Sequence, residues 1–127
     1  MRERMNIEEY RDYCITKPGT TEEFPFDKDT LVFKVMGKMY ALSSLSVWES
    51  GEARINLKCD PDKAVRLREK FPDTVFPGYH MSKIHWNTVV LNQALPTEKI
   101  KELIDHSYDL IVKSLTKKLK EQLAQLK

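Results

Sequence analysis

Two of the chain's three histidines, with a lysine, an asparagine and a tryptophan, fall within Tyr79–Leu91 (YHMSKIHWNTVVL). The segment begins as a polar loop and becomes an alternating strand. Ile84, Trp86, Thr88 and Val90 share one side, and His85, Asn87, Val89 and Leu91 the other. On a wet face, His85 and Asn87 have the donors and acceptors to touch a phosphate or a base edge. On a covered face they would be satisfied polar groups beneath a helix or loop. Trp86 is expected to pack in the core with its indole N–H on a backbone carbonyl. Stacking against a base or ligand is the alternative.

A second set is cationic. Lys34, Arg54 and Lys58 occupy outward strand positions, Lys38 lies at a hairpin tip, and Lys83 just precedes the fourth strand. Gathered on one sheet face, these five would grip a duplex backbone through its phosphates. The structural alternative is that lysines on edge strands guard a sheet against aggregation.

Covalent and metal chemistry find less support. Cys14 lies on an apolar helical stripe, and Cys59 alternates inward beside Leu57, so both are expected to be buried, inert thiols. Cys59, His80, His85 and His106 lack the paired spacing of a zinc site. No phosphate loop, GxSxG elbow or HExxH occurs in the sequence. The expectation is a non-enzyme without a cofactor.

The chain that must position these groups has 127 residues, 41% apolar and 31% charged, which suits one soluble globular domain. No apolar run approaches the ~20 residues of a membrane helix, and no apolar leader opens the chain. A cytoplasmic setting without membrane contact is therefore expected. The net charge of +2 is unevenly spread. Residues 113–127 carry five lysines and one glutamate, whereas residues 1–29 carry eight acidic against five basic groups. A dedicated nucleic-acid domain is more basic than this, so any binding of double-stranded DNA would be weak, local and salt-sensitive.

Periodicity places the elements. Asn6 caps a first helix, with Glu9 three residues on and Ile7, Tyr10, Tyr13 and Cys14 on one stripe; Pro18-Gly19 ends it. Thr20–Phe26 reads as a loop whose two aromatics cover the core's edge. Leu31–Met36 and Met39–Leu45 form a hairpin about a type II′ turn at Gly37-Lys38. Trp48–Glu52 is a turn, and Ala53–Cys59 a third strand. Asp60-Pro61 starts a second helix, and Phe71–Gly78 is an irregular connection. After the fourth strand, Thr97 caps a long helix that either runs on or breaks near Ser114. This is an α+β domain with an antiparallel sheet of about four or more strands and helices packed on one face. The domain is expected to span 1–114, followed by a lysine-rich helical extension, 115–127.

Four stretches carry a family resemblance: Val32–Met39 (VFKVMGKM), Leu57–Pro61 (LKCDP), His80–Thr88 (HMSKIHWNT) and Leu103–Leu110 (LIDHSYDL). In this order they resemble the MmcQ/YjbR family of small bacterial proteins. The resemblance implies a compact fold similar to that of the frataxin-like CyaY proteins, a double-wing motif, and a DNA-binding role assigned by analogy of fold. It implies no enzyme activity and no cofactor. Glu8, Glu9, Asp12, Glu22 and Glu23 are read as a solvated face and loop rather than an iron site. The resulting expectation is weak DNA binding through Lys34, Lys38, Arg54, Lys58 and Lys83, with His85 and Asn87 reading the grooves. The alternative is a non-enzymatic module that binds a protein partner or a small ligand, using the same face or a cleft beside Trp86.

Overall fold

A computed structural model describes residues 5–78, 82, 84–91 and 95–126 of the chain. The element order is α1 (Ile7–Ile15), β1 (Thr20–Glu23), β2 (Thr30–Val35), β3 (Lys38–Ser44), α2 (Leu45–Glu49), β4 (Arg54–Lys58), α3 (Pro61–Lys70), β5 (Val75–Pro77), β6 (Trp86–Val90), α4 (Thr97–Ser114) and α5 (Lys117–Gln125). The strands form one antiparallel sheet in the order β1-β2-β3-β4-β6-β5, with helices packed on one face.

Local sequence explains the helix starts. Asn6 Oδ1 accepts from the Glu9 amide at 2.8 Å, and Glu8 and Glu9 complement the positive end of α1. Asp60 accepts from the Lys63 amide at 3.2 Å with Pro61 at the first helical position. At α4 the cap is Pro96, and Thr97 is already helical. The α4 helix breaks at Leu115, and Thr116 Oγ1 caps α5 by accepting from the Leu119 amide at 3.2 Å.

Two strands lie where the sequence reads as loop. Thr20–Glu23 has no apolar alternation, yet it pairs along β2 as an edge strand. Val75–Pro77 is three residues long and pairs with β6 at the opposite edge. Edge strands are held by backbone bonds on one side and need little apolar content. Phe24 and Phe26 do not cover the core; they are 45% and 65% exposed.

The hairpin differs by one residue. Its loop is Met36-Gly37, with φ of 50° and 86°, and Val35 pairs with Lys38. Positive φ at both positions defines a type I′ turn, which takes glycine second, whereas type II′ takes it first. A slip of one residue turns side chains to the other face. Lys38 is thereby the first residue of β3 on the helix-covered side, with Nζ 3.4 Å from the Ser114 carbonyl at the end of α4.

The β3–β4 seam is short: only Ala41↔Leu57 and Leu42↔Asn56 pair directly. A register shift between β2 and β3 leaves Tyr40 as an extra residue, buried in the core against Tyr108. A serine closes each end of the seam. At one end Ser107 of α4 donates to the Tyr40 carbonyl (2.5 Å) and accepts from the Lys58 amide (2.9 Å). At the other, Ser43 donates to the Arg54 carbonyl (2.6 Å) and accepts from Trp48 Nε1 (2.6 Å). Both serines are buried. They satisfy backbone groups that the splayed strands no longer offer one another.

The core lies between the sheet and α1, α3 and α4, around Tyr10, Phe33, Ile55 and Ile104. The lysine-rich end is helical, and it is part of this packing: Leu115 and Leu123 belong to the core cluster. A Cβ on Gly19, which has φ +73°, would lie 2.7 Å from Leu123 Cδ1. Glycine at that position lets α5 approach.

Candidate functional site

Strand pairing sorts the seven candidate residues. Lys34, Arg54 and Lys58 lie on the helix-free face, opposite in sense to Phe33, Ile55 and Leu57 of the core. Lys34 and Lys58 are two strands apart, roughly 10 Å at the usual strand spacing. The same face carries Val32, Leu42, Asn56 and Thr88, with Thr88 Oγ1 donating to Asn56 Oδ1 at 2.5 Å. Lys34 pairs with Glu23 and Arg54 with Glu52, each at 3.4 Å.

The remaining candidates do not join them. Lys38 is on the helix side, at the end of α4. Lys83 lies outside the described residues. His85 is exposed in the turn before β6. Asn87 pairs across from Leu57, faces the helices and is 2% exposed. Its Nδ2 makes a long 3.5 Å contact to the Ala64 carbonyl. Asn87 is thus a core residue that cannot read a groove, because the α3 backbone covers it. Trp86 shows the reverse: it is buried, but on the helix-free face beside Lys58.

The two thiols are held in their neutral forms. Cys14 and Cys59 are free and buried; burial pushes the Cys14 thiol up to about 12 and raises that of Cys59. Tyr13 donates to Asp105 at 2.7 Å, and Lys17 pairs with the same carboxylate over the rings of Tyr13 and Tyr108. This network ties α1 to α4 and has no local sequence signal. Among the described residues, no three His, Cys, Asp or Glu side chains could hold a metal ion together.

His106 has a pH consequence. Its Nε2 accepts from the Asp60 amide at 3.1 Å, a role only the neutral ring can fill. Burial, then Lys63, lowers its pKa from 6.5, with Asp60, Asp109 and Lys113 also facing it. The unfolded chain therefore binds the proton more readily. The stability contribution is fully present above the ordinary histidine pKa and is lost as pH falls below it. Urea midpoints are expected to drop between about pH 7.5 and pH 5.5, and His106→Gln should flatten that drop. An equally steep fall in the variant would assign it to another group.

A concavity of about 630 Å³ opens on the helix side, between α1 and α2. Met5, Ile7, Leu31, Leu45 and Ala53 give it an apolar lining; Phe24 and Trp48 supply aromatic surface. Trp48 is fixed in place. Its indole N–H is tied to Ser43, and its ring stacks on Tyr10 at 5.6 Å and 24°. At the rim, Arg11 donates twice to Glu22, Nε to Oε2 and Nη2 to Oε1, both at 2.7 Å. The cleft is beside Trp48, not Trp86. Its walls come from three separated segments, and Trp48 read only as the start of a turn.

Fold and surfaces define a small α+β domain with a six-stranded antiparallel sheet, one helix-covered face and a preformed apolar cleft. Residues 15–110 match the YjbR family model, and the chain belongs to the YjbR family. It is 34% identical over 122 residues to the uncharacterized protein YjbR of Escherichia coli K12, covering 96% of this chain and all of that one. It is 35% identical over 105 residues to the uncharacterized protein YyaQ of Bacillus subtilis, covering 74% of this chain and 87% of the relative. A crystal structure of a Deinococcus radiodurans protein with the DUF419 domain superposes with a TM-score of 0.87 at 37% identity, over 95% of this chain and 89% of that one. A Pseudomonas syringae protein gives 0.70 at 34% identity, over 84% and 98%. Among the described residues no helix is long and apolar enough to cross a membrane.

Proposed function

We propose that this protein is a non-enzymatic binding module that holds a small, largely apolar ligand in the cleft between α1 and α2. The observation that carries this reading is the cleft itself. Its volume of about 630 Å³ lies within the usual range of small-molecule sites, and aliphatic and aromatic side chains line it. The anchoring of Trp48 supports it further, because a preformed wall spares the ligand an ordering cost. The neutral, buried thiols support binding over covalent chemistry. They also fit a cytoplasmic setting.

The test is a fragment titration of the full chain followed by amide NMR. Hits are expected to perturb Ile7, Leu31, Leu45, Trp48 and Ala53, and to lose affinity when Leu45→Phe fills the cleft. Hits that scatter over the surface, or a library without hits, would end the reading.

A second reading is weak binding of double-stranded DNA, favoured by the shared face of Lys34, Arg54 and Lys58. Fluorescence anisotropy with a mixed-sequence duplex at low salt is expected to show salt-sensitive binding. The pair Lys34→Glu and Lys58→Glu should weaken it and lower the salt slope by about two. Unchanged affinity in that double variant would remove the helix-free face as a DNA surface.

A further inference from the structure

We infer that the ligand of the α1–α2 cleft is a small organic cation, an amine or quaternary ammonium group on an apolar body. This rests on the cleft being a ligand site, and the charges at its rim select the class. Three charged side chains border it: Arg11, Glu22 and Glu49. Arg11 and Glu22 cancel, since each nitrogen–oxygen contact in their two-pronged pair is 2.7 Å. Glu49 is exposed and makes no ion pair among the described residues. Among the described residues the rim therefore carries one negative charge without an ion-pair partner.

The surroundings have the same sign. Asn6 and Ile7 bring the start of α1 to the cleft, but Glu8 and Glu9 in its first turn offset the positive end of that helix. The first 29 residues, which supply much of the cleft, sum to −3. An anionic ligand would have to take Arg11 from Glu22, breaking two short charge-assisted hydrogen bonds. A neutral ligand would gain the apolar walls and nothing from Glu49. A cation gains the walls, the carboxylate and the nearby electron-rich rings of Phe24 and Trp48, which attract positive charge.

The experiment compares three probes with one aromatic body: phenethylamine, phenethyl alcohol and hydrocinnamate. Each is titrated into the full chain by amide NMR, in wild type and in Glu49→Gln, an exposed and nearly isosteric change. Phenethylamine is expected to bind about five- to tenfold more tightly than hydrocinnamate. Glu49→Gln should cut its affinity about two- to fivefold and leave phenethyl alcohol unchanged. If the alcohol or the acid binds as well as the amine, or the amine ignores Glu49→Gln, the cationic assignment is overturned while the cleft remains a ligand site. If none of the three perturbs the cleft amides, the ligand-site reading falls with it.

Discussion

Replacing Ser107 with alanine is expected to cost about 2–4 kcal/mol of stability, from two buried backbone groups losing their partners at roughly 1–3 kcal/mol each. The hydroxyl is fully buried and serves both strands of the β3–β4 seam, through the Tyr40 carbonyl and the Lys58 amide. Alanine leaves only the volume of a hydroxyl, too little for a water to enter and substitute. Because Tyr40 is the extra residue of a bulge, its carbonyl has no ladder partner to fall back on. Urea unfolding measures the effect. Ser50→Ala is the control: it removes a local, exposed hydrogen bond to the Val47 carbonyl and should cost under about 0.5 kcal/mol. A Ser107→Ala loss no larger than the control would show that the seam closes without the hydroxyl. A large loss would also bear on the cleft, since the other end of the seam anchors Trp48 through Ser43.

Ending the chain at Ser114 is expected to cost up to about 3–6 kcal/mol, at roughly 1.5–3 kcal/mol for each of two fully buried leucines. Leu115 and Leu123 are 4% and 2% exposed and belong to the core, with Leu119 packed against it. Domains of this size have only about 5–15 kcal/mol in total, so the truncated chain should unfold at markedly lower urea or temperature. Leu123→Ala isolates one contact and should cost about 2–4 kcal/mol. A truncated chain with an unchanged midpoint would mean that α5 adds nothing to the packed domain. The same packing governs how the basic end is tested. Removing α5 to probe its charge would also strip the core, so Lys117, Lys118 and Lys120 are better changed to glutamine in the full chain.

Elements with signals inside their own sequence were legible. Asn6 and Asp60-Pro61 mark helix starts by their capping chemistry, and the stripe from Ile100 to Ile111 buries one side of α4. Alternation identified β2, β4 and β6. Four short stretches in order were enough to indicate the family. The edge strands β1 and β5 were not legible, since what holds them is a neighbour's backbone rather than their own side chains.

The limit is clearest at β6. Its period of two was readable, but alternation has no sign when both sets contain apolar residues. Trp86, Thr88 and Val90 compete on nearly equal terms with Asn87, Val89 and Leu91. Pairing with β4 decides it: Ile55 and Leu57 face the helices, so Val89 and Asn87 must follow, and Trp86 turns away. The same holds at the hairpin, where one residue of turn frame moves Lys38 from a supposed binding tip to the end of α4. The cleft is a stronger case, because Met5, Phe24, Leu31 and Trp48 meet only once α1 and α2 are docked on the sheet. By itself the sequence determined the long helices, the central strands, the fold class and the family, which rest on local chemistry and period, but not β1, β5 or the short α2. Which face each side chain occupies, and where a cavity opens, was decided by tertiary structure, because register and docking come from contacts between residues far apart in the chain.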